Sequence, residues 1–520
     1  MKQQDATTYP ACRRYCGDRW EEIALLVEDG ERLPALADGL GLPFLPDLAR
    51  LERAVATVED AFLPERVDEV SVNPTLLLVN FSWRNLPAAR SGTGEPEQGE
   101  DRLLLWREKG GEVRVERATN ERLLALKVVL EGLDFSEVAR EGGVATASVD
   151  DILRMAAAEG LVLNPPSRIR RLTPVFDPVR WPEEYLAAET FSLQWHVTNR
   201  CDLSCRHCYD PTDRHPFPAE RGFELLRELK DFCRSRNVRG HVSFTGGNPF
   251  LHRDFDAFYE EAARLGLSAS ILGNPVPRGR LEEIVAIARP TFFQVSLEGL
   301  REHNDAIRGT GNFDAVLSFL DLLAASGVYS VVMLTLTRAN LHEVLPLADL
   351  LRDRASVFAF NRLATYGRGE ALAMVRPEEY RVFLRHYLDE ANSNPVLGRK
   401  DSLLNVVHRE RGDKLFGGCT GFGCGAAFNF VSVLADGEVH ACRKFPSHIG
   451  NIMDSSLERI YDSPRAARYR GGSAGCAGCD LRAVCGGCLA VTAATGLDPL
   501  IHRDPYCFHP GGATINSLLP

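Results

Sequence analysis

Three of the chain's 14 cysteines crowd into one short segment, CDLSCRHCYD, which runs from Cys201 to Asp210 with C-x3-C-x2-C spacing. Three thiolates on one loop can hold three irons of a [4Fe-4S] cluster and leave the fourth iron open to a small chelating ligand. The lesser alternative on spacing alone is a structural zinc site whose fourth ligand would be His207. Eight further cysteines fall between Cys419 and Cys507: Cys419-x4-Cys424, then Cys442 beyond Asp436-Gly437-Glu438-Val439, then Cys476-x2-Cys479-x5-Cys485-x2-Cys488, and finally Cys507. Eight thiolates suffice for two cubane clusters. Paired C-x2-C units also build zinc ribbons, although those pairs usually stand further apart than the five residues here. Outside the two groups lie only Cys12 and Cys16, read as incidental thiols because a third metal site would need two more ligands, and Cys233, read as a core residue.

Such a loop needs a rigid frame behind it. From Phe191 to about Asn361 short apolar runs alternate with amphipathic helical stretches: SLQWHV, HVSFTG, LSASILG, TFFQVSL, YSVVMLTL and SVFAFNRL. Six strand-helix units predict an α/β fold over 185–400, a parallel sheet or partial (β/α) barrel, with the triad directly after the first strand. Chemistry in such folds collects at the C-terminal strand ends. There the chain carries Thr245-Gly246-Gly247-Asn248-Pro249, Ile271-Leu272-Gly273-Asn274, Val295-Ser296-Leu297-Glu298-Gly299 and Phe360-Asn361-Arg362-Leu363, with Tyr366-Gly367-Arg368-Gly369 just beyond. Taken alone, GGNP means only a turn, and His196 reads as a strand residue near the triad.

Upstream, residues 1–101 predict a helical region, with LARLERAVATVEDAF from Leu48 to Phe62 at helical spacing, a strand at Leu76–Phe81, and a loop rich in Gly, Pro, Ser and Glu from Ala88 to Glu100. Residues 102–172 begin with two strands about Lys109-Gly110-Gly111, a hairpin signal, followed by three short helices between Glu121 and Glu159. That order is winged-helix-like. The stretch from Asn164 to Pro174 reads as a linker whose prolines break structure and whose arginines face solvent. Residues 414–512, rich in glycine and cysteine with few periodic runs, predict a small metal-stabilised domain.

The balance of the chain sets limits on partners and compartment. Its 520 residues are 45% hydrophobic and 25% charged, an ordinary globular composition. A net charge of −11 gives bulk electrostatics no help in binding nucleic acid or an anionic membrane. No apolar run is long enough for a membrane helix and the start lacks a secretory layout, so the expected location is cytoplasmic, where clustered thiols serve metals or catalysis rather than disulfides.

The triad with Tyr209 following it, placed after a strand, resembles the cluster loop of the radical S-adenosylmethionine (SAM) superfamily. The resemblance implies a partial (β/α)6, TIM-like barrel, a [4Fe-4S] radical cluster on Cys201, Cys205 and Cys208, and SAM chelated at its open iron. Reductive cleavage of the sulfonium then yields a 5′-deoxyadenosyl radical that abstracts substrate hydrogen. Gly246, Gly247, Asn248 and Pro249 resemble the family's glycine-glycine-glutamate-proline loop, with an asparagine where the acid usually stands. By the same resemblance Asn274, Ser296 and Glu298 are candidate SAM contacts. Arg308, in AIRGTGNF, is a candidate for the methionine carboxylate, although a surface charge there is equally plausible from sequence.

The C-terminal array resembles the SPASM domain, which implies two auxiliary [4Fe-4S] clusters. Cys419, Cys424, Cys442 and Cys488 would hold the nearer, and Cys476, Cys479, Cys485 and Cys507 the outer. Two departures stand out: only two residues separate Cys485 from Cys488 where many relatives have three, and Cys419 is an additional thiol. The segment from Leu103 to Leu163 resembles the recognition element of ribosomal-peptide maturases, which takes a leader peptide as an added strand. The whole order is most like the selenobiotic-type maturases. It implies a leader-bearing, cysteine-containing precursor peptide as substrate, thioether crosslinks as product and an electron donor such as flavodoxin or ferredoxin. The competing readings are a sulfatase-type maturase oxidising one Cys or Ser, a carbon-carbon crosslinking maturase, and a non-enzymatic electron carrier or DNA-binding sensor.

Overall fold

A computed structural model of the chain describes residues 8–27, 32–133, 135–142, 146–171, 176 and 181–510. The chain divides into two units, 1–166 and 167–520.

In the first unit strands β1 (Ser71–Val72), β2 (Leu77–Arg84), β3 (Glu97–Arg107), β4 (Val113–Arg117) and β5 (Val162–Leu163) form an antiparallel β2-β3-β4 sheet and a separate β1-β5 pair. The expected hairpin is β3-β4, with Leu103 opposite Arg117 and Arg107 opposite Val113. Four consecutive residues of β3, Leu103 to Trp106, are fully buried because the sheet is covered on both faces. Strand alternation sends Leu103 and Leu105 to the helices of residues 10–60 and Leu104 and Trp106 to those of residues 120–158. The boundary expected after residue 101 therefore falls inside β3. The loop expected from Ala88 to Glu100 is instead the end of a helix, Leu86–Ser91, and the start of β3. Pro87 opens that helix, and Gly92 at φ +76° closes it. The three short helices stand at 120–131, 135–142 and 146–158. Cys12 and Cys16 are buried near Glu52, whose carboxylate accepts the Ala11 and Cys12 amides at 2.7 and 3.0 Å. Burial pushes both thiols up, Cys16 to about 11, which suits inert packing residues.

In the second unit all six expected strands are present: β6 (Thr190–Thr198), β7 (Arg239–Gly246), β8 (Ser268–Leu272), β9 (Phe293–Ser296), β10 (Ser330–Leu336) and β11 (Val357–Arg362). They pair in parallel and in chain order, with helices in every crossover, giving the partial (β/α)6 barrel. The cysteine-rich segment is not separate from it. Strands β12 (Phe430–Val433), β13 (Glu438–His440) and β14 (His448–Asn451) extend the same sheet, β12 lying parallel to β6 with Phe430 opposite Ser192. One core runs through both, from Trp195, stacked on Phe217 at 5.7 Å, to Val431, Val484 and Tyr506. Cys233 belongs to it, and burial pushes its thiol to about 12. Arg171, expected in a solvent-facing linker, is buried. Its guanidinium donates to the carbonyls of Arg470, Phe422 and Cys424 at 2.8, 2.7 and 2.6 Å and lies 4.0 Å from the Phe428 ring. The irregular backbone of the cysteine-rich segment leaves carbonyls that need donors, and this arginine supplies them.

Candidate active site

The barrel strands alternate apolar and polar residues although the sheet is parallel. Phe191, Leu193, Trp195 and Val197 of β6 and Val242 and Phe244 of β7 join the core, so Gln194, His196, His241, Ser243 and Thr245 occupy the opposite face. Several of these groups find partners on neighbouring strands. The two ring nitrogens of His241 lie 2.9 Å from the hydroxyls of Ser268 and Ser270, Ser270 donates to Ser243 at 3.0 Å, and Ser432 donates to Gln194 at 3.1 Å. Such a face is a polar lining for a site at the strand ends.

The triad loop is fastened on three sides. Arg206 N donates to Ile307 O at 3.0 Å, Arg368 N to Cys208 O at 2.9 Å, and Asn248 N to Arg200 O at 2.8 Å. The GGNP loop presses against it so closely that a Cβ on Gly246 would lie 2.1 Å from Thr198 O, and one on Gly247 2.2 Å from Arg200 O. Pro249 is buried and opens a short turn that the Asn248 side chain caps. Asn274 donates to the Cys201 thiol at 3.6 Å. Glu298 is buried beneath the triad, its Oε1 2.9 Å from Arg308 Nη2 and 3.2 Å from His207 Nε2, its Oε2 accepting Thr335 N at 2.8 Å. Burial alone would raise Glu298; the adjoining His207 and Arg308 hold it down at about 2. Burial pushes the Cys205 thiol up, and the Arg308 charge opposes this. Seven sequence-chosen residues thus converge: the three cysteines, Asn248, Asn274, Glu298 and Arg308. Ser296 ends β9 opposite Met333, and its hydroxyl makes no hydrogen bond among the described residues.

The eight C-terminal thiols, all free, sort into two groups by the charges they feel. Cys424 is pushed up to about 12 by burial and then by Cys488, Cys419 and Cys442. Burial raises Cys476 to about 11, with Cys479 and Cys507 adding to it, and burial likewise raises Cys485, with Cys507 and Cys476 adding to that. Each group has its own cation. Lys444 neighbours Cys488, Cys419 and Cys442, and Arg503 donates to the Cys507 sulfur at 3.2 Å. The last barrel strand anchors this region. Arg362 bonds Asp401 at 2.8 Å and Asp504, bidentately, at 3.0 and 2.7 Å, while Asp504 accepts the Cys488 amide at 2.8 Å.

Residues 195–351 match the radical SAM superfamily, and residues 424–488 match SPASM, an iron-sulfur cluster-binding domain. The chain is a radical SAM enzyme carrying a SPASM domain. Mycofactocin maturase MftC of Mycobacterium tuberculosis is 29% identical over 332 residues, covering 61% of this chain and 82% of MftC. An AdoMet-dependent heme synthase of Oleidesulfovibrio alaskensis is 27% identical over 57% of this chain and 82% of that enzyme. Among solved structures, Streptococcus suis SuiB bound to precursor peptide SuiA shares the fold, with a TM-score of 0.51 and 17% identity over 78% of this chain and 96% of SuiB.

The cofactors of this radical SAM enzyme are SAM, a [4Fe-4S] cluster and auxiliary iron-sulfur clusters in the SPASM domain. Its residues fit them. A single zinc draws its sulfurs to about 4 Å of one another, yet among the described residues only Cys479, Asp480 and His509 bring three ligand atoms within 4.8 Å. The triad is therefore more open than mononuclear zinc requires, as a cubane demands. Sequence reasoning missed Asp202, Lys444, Arg503 and the Arg362–Asp504 pair. The first three stand within four residues of a cysteine, which is the signal that would have found them. The last pair is 142 residues apart in sequence.

Proposed function

We propose that this radical SAM enzyme is a leader-dependent maturase of ribosomal precursor peptides that forms thioether crosslinks at cysteine. In this reading Cys201, Cys205 and Cys208 hold the radical cluster, Cys419, Cys424, Cys442 and Cys488 the nearer auxiliary cluster, and Cys476, Cys479, Cys485 and Cys507 the outer one. Bound SAM supplies one-electron abstraction of a substrate hydrogen. Gly246 and Gly247 let backbone approach the methionine moiety, Asn274 borders it, and Glu298 is a positioning residue that holds Arg308 beside the triad. Turning a thiol and a C–H bond into a C–S bond removes two electrons and two protons. One of each leaves as a hydrogen atom and the thiol releases the other proton; the auxiliary clusters, when bound, would supply the acceptor for the second electron. Flavodoxin or ferredoxin is the proposed electron donor.

The observation that carries the peptide reading is the first unit. Among the described residues strand β4 pairs with β3 alone, so its outer edge offers backbone groups to an added leader strand. The fold likeness to peptide-bound SuiB covers 78% of the chain, more than the second unit by itself, and so reaches into this region. The relative that is a heme synthase favours a second reading, a tetrapyrrole substrate, but that likeness covers 57% of the chain and gives the β2-β3-β4 sheet no task. The test incubates the reduced full chain and SAM with a cysteine-containing peptide encoded beside its gene. The expected product is lighter by two hydrogens and has lost one alkylatable thiol, and removing the leader abolishes its formation. An unmodified peptide, or modification indifferent to the leader, overturns the reading; heme formed from a tetrapyrrole precursor instead establishes the second.

A further inference from the structure

SAM brings an ammonium and a carboxylate to its site, so the protein must offer charge of both signs beside the triad. Arg308 is the cation. The anion is less obvious, since the GGNP loop contributes none. Three carboxylates border the triad. Glu298 is paired with both Arg308 and His207. Asp210 is bonded to Thr212 and paired with Arg214 at 3.3 Å. Asp202, directly after Cys201, has no cationic partner among the described residues. Its Oδ1 accepts from Asn248 Nδ2 at 3.1 Å and from Asn274 Nδ2 at 2.5 Å, and its Oδ2 makes no hydrogen bond among the described residues. Both asparagines are buried, at 4% and 9% exposure, whereas Asp202 is exposed. Asn248 is engaged at its other end besides, its Oδ1 accepting Phe250 N at 3.4 Å. Two buried amides thus aim one carboxylate that has an oxygen to spare.

We infer that Asp202 is the counter-charge for the methionine ammonium of SAM, and that Asn248 and Asn274 are positioning residues that orient it. An amide oxygen can accept from an ammonium but brings no charge, and charge-assisted bonds are roughly twice as strong as neutral ones. The carboxylate and the amide therefore divide the work between the triad loop and the glycine loop: the former carries the charge and the latter aims it.

The test measures SAM binding by calorimetry on the full chain, anaerobically reconstituted and without reductant, so that neither turnover nor a peptide enters the readout. Asp202→Asn should weaken binding by about tenfold or more, with the triad's iron content unchanged. Because this variant can disturb the loop itself, the deciding variant is D202N/N248E, which keeps the amide at 202 and moves the carboxylate to the glycine loop. It should bind SAM within about threefold of the unaltered chain. Wild-type affinity in D202N overturns the inference, as does a double variant that stays as weak as D202N or fails to recover the triad's iron where D202N has lost it.

Discussion

At the scale of single residues, the site depends on groups whose chemistry is ordinary and whose placement is not. Burial opposes the charge on Glu298 and the facing His207 and Arg308 favour it, and through Glu298 the guanidinium of Arg308 is held against the triad. Gly246 shows the steric side of the same economy. It sits at φ +124°, and a Cβ there would meet the Thr198 carbonyl at 2.1 Å. Gly246→Ala should therefore cost about 1–3 kcal/mol in backbone strain alone, with the clash added. Thermal unfolding should show a lower midpoint, and calorimetry should show weaker SAM binding in the folded fraction. An alanine variant with both unchanged would mean that the two loops are less tightly apposed.

At the scale of elements, the barrel strands were legible as strands, but the reason for their polar members was not. A parallel strand covered on both faces usually reads as a continuous apolar run. Here His241, Ser243, Ser268 and Ser270 form a hydrogen-bonded set on one face. That set has a consequence for pH. Burial holds His241 down at about 4, against 6.5 for a free histidine. Between those values the unfolded chain carries a proton that the folded chain lacks, so stability falls as pH drops from about 6.5 towards 4. The loss attributable to this group approaches about 3 kcal/mol at the acid end. His241→Gln should flatten the decline of the thermal midpoint between pH 7 and 5 relative to the unaltered chain. An equal slope in both would show that other groups control acid stability. The helix at Leu86–Ser91 carries the opposite lesson. Its composition resembled a loop, and the local signals that matter, Pro87 at the start and Gly92 at the end, are one residue each.

At the scale of the whole molecule, the eight C-terminal thiols are held by parts of the chain far from them in sequence. Arg362, at the end of β11, ties Asp401 and Asp504, and Asp504 in turn fixes the amide of Cys488. Removing one partner from a pair so buried costs about 3–5 kcal/mol. Arg171 does similar work for the carbonyl of Cys424. If the thiols divide as proposed, replacing Cys476 and Cys479 with serine should remove about four of twelve irons and spare reductive SAM cleavage at the triad. Iron content that does not fall, or zinc in the reconstituted chain, would return the outer group to a structural metal site.

The sequence by itself determined the chemistry: three thiols directly after a strand, eight more downstream, six alternating units and the strand-end motifs are all local patterns, readable because each is set by spacing along the chain. What only the tertiary structure decided is which groups meet. Asp202 faces Asn248 and Asn274 across separations of 46 and 72 residues, β12 joins the barrel sheet beside β6, and β3 is buried on both faces. None of these follows from periodicity, because parallel pairing and charge neutralisation join segments with no shared local signal, and burial selects the partner only once the sheet has formed.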